Sequence, residues 1–139
     1  MLSRQRTEYD SRSREMANLT AERVSTDRTD NFVYQRSILA YSEAAKLVSG
    51  RVLEIGTGSG YGIRTIAASA DEFVTIDKFR SSAVDDLPAN TSFIETKVPP
   101  LPFDDEVFDY VVSFQVIEHI RNDKQFVGEI LRVLKPGGK

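Results

Sequence analysis

The sequence predicts an α/β fold in which a parallel sheet is flanked by helices. Short apolar runs of strand composition alternate along the chain with segments of helical periodicity, which is the pattern of βαβ units. The run at residues 52–55 breaks directly into a glycine-rich loop, and ligands of such sheets bind where strands end. The run at residues 109–114 is almost continuously apolar, which is typical of a strand covered on both faces.

The first helix is predicted from Asn31 to about Val48, because Asp30 is a suitable N-cap and Ser49 and Gly50 end the pattern. Its apolar residues recur at near-helical spacing. They are Phe32, Leu39, Ala40, Ala44, Leu47 and Val48.

The remaining elements follow in alternation. Strands are predicted at residues 51–55, 72–77, 92–95 and 109–114. A second helix is predicted at about 61–70, and a third at 123–134 with Asn122 as its N-cap. The apolar residues of the third helix follow the helical period, and they are Phe126, Val127, Ile130, Leu131, Val133 and Leu134.

The glycine loop contains the strongest functional signal. Glycines stand at positions 56, 58, 60 and 62, so the backbone can approach a ligand closely. A dinucleotide fingerprint, G-x-G-x-x-G, would need a glycine where Tyr61 stands. Glu54, two residues before the first glycine, would repel a pyrophosphate and attract an ammonium group. The loop therefore favours a cationic ligand without phosphate groups.

Asp77 ends the second strand, 21 residues after Gly56. A carboxylate at that point can accept two charge-assisted hydrogen bonds from a ribose diol. Dehydrogenases and methyltransferases both use this arrangement, so Asp77 supports a ribose without choosing between the two cofactors.

Composition excludes several classes of function. The chain has 139 residues, a net charge of −3 and no cysteine, so it offers no basic footprint for nucleic acid and no thiol chemistry. His119 is the single histidine, which excludes a multi-histidine metal site, and no metal is predicted. No apolar run reaches membrane-spanning length, and the polar start contains no signal peptide. A cytoplasmic location is expected.

Several motifs together resemble class I S-adenosylmethionine-dependent methyltransferases, in the group of type 11 that acts mainly on small molecules. The motifs are E-x-G-x-G-x-G at residues 54–60, the fourth strand followed by Glu118 and His119, and L-K-P-G-G at residues 134–138. The resemblance covers about residues 20–138. It implies a Rossmann-like fold of seven strands in the order 3-2-1-4-5-7-6, with S-adenosylmethionine as cofactor.

The resemblance also implies roles for individual residues. The cofactor's amino-acid end would contact Glu54 and the loop glycines Gly56, Gly58 and Gly60. Asp77 would bind the ribose, Lys78 or Phe79 would flank the adenine, and Phe114 and Gln115 would lie beside the methyl donor. Glu118 and His119 would face the acceptor, where one of them could act as a general base.

Two features depart from the family pattern. Relatives place an aspartate that contacts the adenine amino group where this chain has Lys97, and lysine has no acceptor. That contact would be weakened, rearranged, or supplied by Glu95 or a backbone carbonyl. The chain also stops where a fifth strand would begin. We therefore expect an N-terminal arm or lid at residues 1–30 and a cofactor-binding domain at 31–139, truncated after the fourth strand and its helix.

The expected function is methyl transfer to a small-molecule or lipid-like acceptor by in-line displacement. One alternative is a cofactor-binding module or fragment without catalysis, and another is an NAD(P)-dependent oxidoreductase, which Tyr61 disfavours. The fourth strand would form an apolar, unpaired edge, so self-association through that edge is a further expectation. The sequence does not identify the acceptor.

Overall fold

The structure is a computed structural model of the chain, and it describes residues 31–139. The predicted arm at residues 1–30 and the predicted cap at Asp30 lie outside the described residues. Within residues 31–139, every helix is too short or too polar to cross a lipid bilayer.

Four parallel strands form the described sheet. They are β1 (Arg51–Ile55), β2 (Glu72–Asp77), β3 (Thr91–Glu95) and β4 (Tyr110–Ser113), in the order β3-β2-β1-β4. This order reproduces the first four positions of the seven-stranded order that the family resemblance implies. The predicted fold class is therefore confirmed, and the strand bounds differ from prediction by at most one residue.

Three helices pack on this sheet: α1 (Asn31–Ala45), α2 (Ile63–Ala67) and α3 (Asp123–Val133). Two short 3-10 turns cover Ser82–Val84 and Ile117–His119. The predicted cap of α3 is confirmed, because Asn122 Oδ1 accepts a hydrogen bond from the Gln125 N–H at 3.0 Å. Helix α2 is shorter than predicted, since the side-chain amide of Asn90 binds the carbonyls of Ala67 and Ala70 and ends it there.

The core lies in two layers, one on each face of the sheet. Successive strand residues point to opposite faces. Val52 and Phe73 therefore pack under α1 and α2, while Leu53, Ile55 and Phe126 pack on the α3 side. Glu54 has the same parity as Val52, so its carboxylate points into the layer beneath α1 and α2.

The predicted apolar face of the first helix is right in part, because Val48 is buried and Ala44 packs against the core. Phe32, Leu39 and Leu47 are 75%, 61% and 71% exposed, whereas Tyr41 is buried. Two edge-to-face ring pairs set the orientation, Tyr34 with Tyr61 and Tyr41 with Phe114, each with ring centroids 5.0 Å apart. Tyr41 is buried although the aliphatic spacing did not include it, because a packed ring removes a large apolar area from water.

Helix α3 shows a milder version of the same difference. Phe126 and Val133 are buried as predicted, but Val127 and Leu131 face outward. The predicted helical period is correct. Within residues 31–139, however, the sheet covers only part of the apolar face of this helix.

Strand β4 is the edge of the described sheet. It pairs with β1 on one side. On the other side, Lys139 donates to the Asp109 carbonyl at 3.1 Å and accepts from the Val111 N–H at 2.9 Å. Lys139 thus lies where the next parallel strand would begin.

Candidate donor-binding site

A cavity of about 440 Å³ opens at the carboxyl ends of β1, β2 and β4, beneath α1. Eight of the ten residues predicted for the site line it, and the two exceptions are Glu54 and Glu118. The eight are Gly56, Gly58, Gly60, Asp77, Lys78, Phe114, Gln115 and His119. The location is the one expected for ligands of an open parallel sheet.

The glycine loop needs glycine for its backbone shape. Gly56, Gly58 and Gly60 have φ values of 96°, 54° and 77°, which are rare for residues with a Cβ. A Cβ on Gly56 would also lie 2.4 Å from a methyl group of Val116. The loop is held against β2, because the N–H groups of Gly56 and Thr57 both donate to the Ile76 carbonyl. This wall of the cavity therefore consists mainly of backbone.

Asp77 is held in place by two backbone groups. Its Oδ2 accepts from the Gly58 N–H at 2.8 Å, and its Oδ1 accepts from the Phe79 N–H at 3.1 Å. A carboxylate has about four lone-pair positions, so acceptor capacity remains for a ligand. The carboxylate therefore fixes the loop and can still bind a diol at the same time.

Glu54 lies behind the cavity wall instead of facing the ligand. It is 1% exposed, and its Oε1 is buried without a hydrogen-bond partner. Burial raises the pKa of Glu54 to about 7, and a hydrogen bond from Thr75 offsets part of that effect. The Tyr41 hydroxyl also lies close enough to lower this pKa, although its geometry falls short of an ordinary hydrogen bond. Direct contact between this carboxylate and a ligand ammonium does not fit this geometry.

Two threonines connect Glu54 to the cavity. The Thr75 hydroxyl donates to Glu54 Oε2 at 2.6 Å, and the hydroxyls of Thr57 and Thr75 are also 2.6 Å apart. Thr75 has a single hydroxyl hydrogen, so Thr57 donates to Thr75 when Thr75 donates to Glu54. Thr75 is buried, whereas Thr57 lines the cavity.

Helix α1 contributes lining residues that the sequence did not reveal. Arg36 and Tyr41 both line the cavity, together with Ser37 and Ala40. No described carboxylate pairs with the Arg36 guanidinium at the distance of a salt bridge. Tyr41 lies so close to Gly62 that a Cβ there would meet its ring at 2.1 Å. Glycine is therefore needed at position 62 because α1 packs closely on the loop there. The sequence alone does not show this reason, since it depends on a contact between two elements.

The end of β4 is irregular. Gln115 has a φ of 55°, an uncommon value for a residue with a Cβ. His119 follows on the 3-10 turn and lines the cavity, whereas Glu118 is exposed and does not. Successive side chains on such a turn point about 120° apart, so the turn that directs His119 inward directs Glu118 away.

Lys97 lines the cavity beside Thr96 and Val98, close to the end of β3. Glu95, which the sequence offered as a replacement acceptor, is exposed and is not part of the lining. No group of three or more His, Asp or Glu side chains within residues 31–139 could hold a metal ion.

The fold and the cavity define the class of the protein: an α/β domain whose glycine loop and strand-end aspartate suit a nucleoside-containing ligand. Residues 53–139 match the family Methyltransf_11, described as a methyltransferase domain. The chain belongs to this methyltransferase family.

Named relatives agree with this assignment. A protein of Mycolicibacterium smegmatis, named "Probable S-adenosylmethionine-dependent methyltransferase", is 37% identical over 125 residues, or 86% of this chain and 48% of that protein. The demethylmenaquinone methyltransferase of Clavibacter sepedonicus is 32% identical over 110 residues, or 73% of this chain and 44% of that protein. The chain spans about half the length of the curated relatives it matches.

A solved structure agrees on the fold. The YcgJ protein of Bacillus subtilis superposes with a TM-score of 0.63 at 25% identity, covering 75% of this chain and 48% of that protein.

Proposed function

We propose that this chain is the donor-binding part of a methyltransferase that transfers the methyl group of S-adenosylmethionine to a small-molecule or lipid-like acceptor. The observation that carries the proposal is the joint geometry of the glycine loop and Asp77. The loop has three glycines at positive φ, and Asp77 holds it while retaining acceptor capacity for a ribose. Bound there, S-adenosylmethionine supplies an electrophilic methyl group on a sulfonium.

The nucleoside end fits the strand ends of β2 and β3. Asp77 would accept from both ribose hydroxyls, and Lys78 would lie beside the adenine. Lys97 cannot accept from the adenine amino group, but it can donate to a ring nitrogen. Because Glu95 does not line the cavity, a backbone carbonyl near Thr96 or Val98 would accept from that amino group.

The amino-acid end fits the space between the glycine loop and α1. The guanidinium of Arg36, which forms no ion pair within residues 31–139, would bind the donor's carboxylate, since the planar group forms bidentate pairs with carboxylates. The ammonium group would contact backbone carbonyls of the glycine loop, with Glu54 acting on it from behind the wall.

The acceptor would enter beside Gln115 and His119, where β4 opens into the 3-10 turn. Gln115 would orient the acceptor, and Phe114 would close the donor's sulfonium side against Tyr41. His119 would take the proton from an acceptor hydroxyl as the oxygen attacks in line. Alignment of the nucleophile with the methyl group supplies the larger part of the rate enhancement.

The name of one relative supports the proposed class of acceptor. The Clavibacter relative is named for demethylmenaquinone, a small lipid-like ring compound, and shares 32% identity with this chain. The net charge of −3 gives no footprint for a nucleic-acid acceptor, and a cytoplasmic location remains a prediction from composition.

Calorimetric titration of the chain with S-adenosylmethionine, its demethylated product and NAD tests the proposal. We expect binding of the first two and none of NAD, because the loop lacks the third glycine of a dinucleotide site. Binding of NAD alone would establish the oxidoreductase alternative instead. Transfer of labelled methyl groups to quinone or phenol acceptors then separates an enzyme from a binding module without catalysis.

Substitution of His119 tests its proposed role as the base, and substitution of the adjacent Glu118 is the control. His119→Asn is expected to lower the transfer rate while leaving donor affinity within about twofold, and Glu118→Gln is expected to change neither. Equal losses in both variants would contradict the assignment of His119 as the base.

We also propose that the chain self-associates through the β4 edge. Within residues 31–139, this edge pairs with no further strand beyond the two hydrogen bonds made by Lys139. Sedimentation at high protein concentration tests it, and a monomeric profile would contradict it.

A further inference from the structure

The buried carboxylate of Glu54 has a position that donor binding alone does not explain. The Glu54 carboxyl lies among mainly apolar side chains, with Oε2 bonded to Thr75 and Oε1 without a hydrogen bond of ordinary geometry within residues 31–139. An unpartnered charged oxygen in such a layer costs free energy unless a compensating charge lies near. The cavity directly beyond Tyr41 and Thr57 is where such a charge could be placed.

We propose that Glu54 is a proton-linked positioning residue, which ionises when the cationic donor enters the cavity and releases its proton through the hydroxyls of Thr75 and Thr57. This inference rests on the proposed function, since it requires S-adenosylmethionine to bind in this cavity. The O–H bond of the carboxyl group breaks, and the proton passes to solvent. The electron pair remains on Glu54.

The hydrogen-bonded chain suits both states of the carboxyl group. When Glu54 is ionised, Thr57 donates to Thr75 and Thr75 donates to Glu54. When Glu54 is protonated, both hydroxyls can turn so that Glu54 donates to Thr75 and Thr75 donates to Thr57. Thr57 lines the cavity, so the chain reaches solvent without exposing Glu54.

The driving force is electrostatic. S-adenosylmethionine carries a sulfonium and an ammonium against one carboxylate, so it brings a net positive charge. Charges interact strongly across a buried wall, because the local dielectric is far below that of water. The raised pKa of about 7 leaves Glu54 partly protonated in the free protein at neutral pH, so there is a proton to release.

Other titratable and charged groups face the same cavity, and a proton released by any of them must be distinguished from one released by Glu54. Tyr41 faces it from α1, and burial raises its pKa far above the neutral range, so it does not exchange protons there. Asp77 adds a nearby negative charge from β2. His119 lines the same space from the turn after β4. The permanent cations of the lining are Arg36, Lys78 and Lys97.

Calorimetric titration of the 139-residue chain with S-adenosylmethionine, in buffers of different ionisation enthalpy, counts the protons exchanged. Near pH 7 we expect release of roughly half a proton per donor bound. The demethylated product lacks the sulfonium charge, so it should release a smaller fraction. If the donor lowers the pKa of Glu54 by one unit, affinity should rise about fivefold from pH 6 to pH 8 and level off above pH 7.

Variants assign the proton. Glu54→Gln keeps an acceptor for Thr75 and should abolish the release, whereas His119→Asn should leave most of it. Thr75→Val removes the hydrogen bond that favours the charged form, so it should move the midpoint of the affinity profile to higher pH.

Binding without buffer-dependent heat in the wild-type chain would overturn the inference while leaving the proposed function intact. Release that survives in Glu54→Gln would also overturn it. Failure of the donor to bind at any pH would overturn both the inference and the proposed function. Absence of proton release in the wild-type chain overturns the inference even if a variant fails to fold, and the pH midpoint of Thr75→Val gives a second assignment of the proton to Glu54.

Discussion

The two sides of the cavity are built in different ways. On the β1–β2 side, the loop amides bond to Ile76 and Asp77, and a buried chain of hydroxyls supports the loop from behind. On the β4 side, the lining comes from an exposed turn in which Gln115 has a positive φ and His119 follows on one 3-10 turn. The β1–β2 side, which we propose binds the donor, is thus part of the core, whereas the β4 side, which we propose binds the acceptor, is a loop. Loops on a rigid scaffold can vary without loss of the fold, which suits a family with many acceptors.

The largest expected effect concerns Glu54 and the stability of the donor side. Its folded-state pKa is about 7 against an ordinary value of 4.5, so the folded state holds the proton more tightly than the unfolded state. Stability of the free chain should therefore fall as pH rises from about 4.5 to about 7, by about 3 kcal/mol in total. Glu54→Gln should remove this decline, as thermal unfolding across pH 4–8 would show. An unchanged decline would mean that another group causes it.

Asp77→Asn tests the charge at the end of β2. We expect a 10- to 100-fold loss of donor affinity, equivalent to about 1.5–3 kcal/mol, because a charge-assisted acceptor of both the ribose and Gly58 is lost. The control is Asp71→Asn, an exposed carboxylate at the other end of β2, which should leave affinity unchanged. Calorimetry measures both variants, and similar losses would contradict a specific contact.

Gly62→Ala tests how α1 is held against the loop. The added Cβ would meet the Tyr41 ring at 2.1 Å, so we expect a destabilisation of about 1–3 kcal/mol and a displaced α1. Gly128→Ala in α3 is the matched control, since nothing lies within 4 Å of its Cβ, and it should stabilise the chain by about 0.5–1 kcal/mol. Urea unfolding distinguishes the two. Equal behaviour would show that α1 does not depend on this contact.

The smallest expected effect compares two residues with strained backbone, one that lines the cavity and one that does not. Gln115 and Glu106 both have positive φ, at 55° and 57°, but only Gln115 lines the cavity. Substitution of either by glycine should stabilise the chain by up to about 1 kcal/mol. Gln115→Gly should also lower the methyl-transfer rate, and Glu106→Gly should not. A transfer assay beside thermal unfolding measures the difference.

Local and long-range contacts also differ in how well the sequence predicts them. The four strands, the cap at Asn122 and the glycine loop with Asp77 followed from local chemistry, because glycines and strand-end acids act through the backbone next to them. The strand order and the other lining residues, among them Phe114, Gln115 and His119, were implied by the family resemblance. The packing of Tyr34 and Tyr41 did not follow, since their aromatic partners lie far along the chain. The burial of Glu54 and the roles of Arg36 and Thr57 depend equally on contacts between elements.

The double hold of Asp77 on Gly58 and Phe79 has a consequence for the speed of binding. Because both hydrogen bonds are made within the protein, the loop needs no ligand contact to hold this shape, so little chain entropy should be lost when the nucleoside docks. Association on this side should then be limited by diffusion and entry past α1, with no slow ordering step. A preorganised loop would allow the donor and its demethylated product to exchange rapidly. The turnover rate would then be limited by steps on the proposed acceptor side of the cavity.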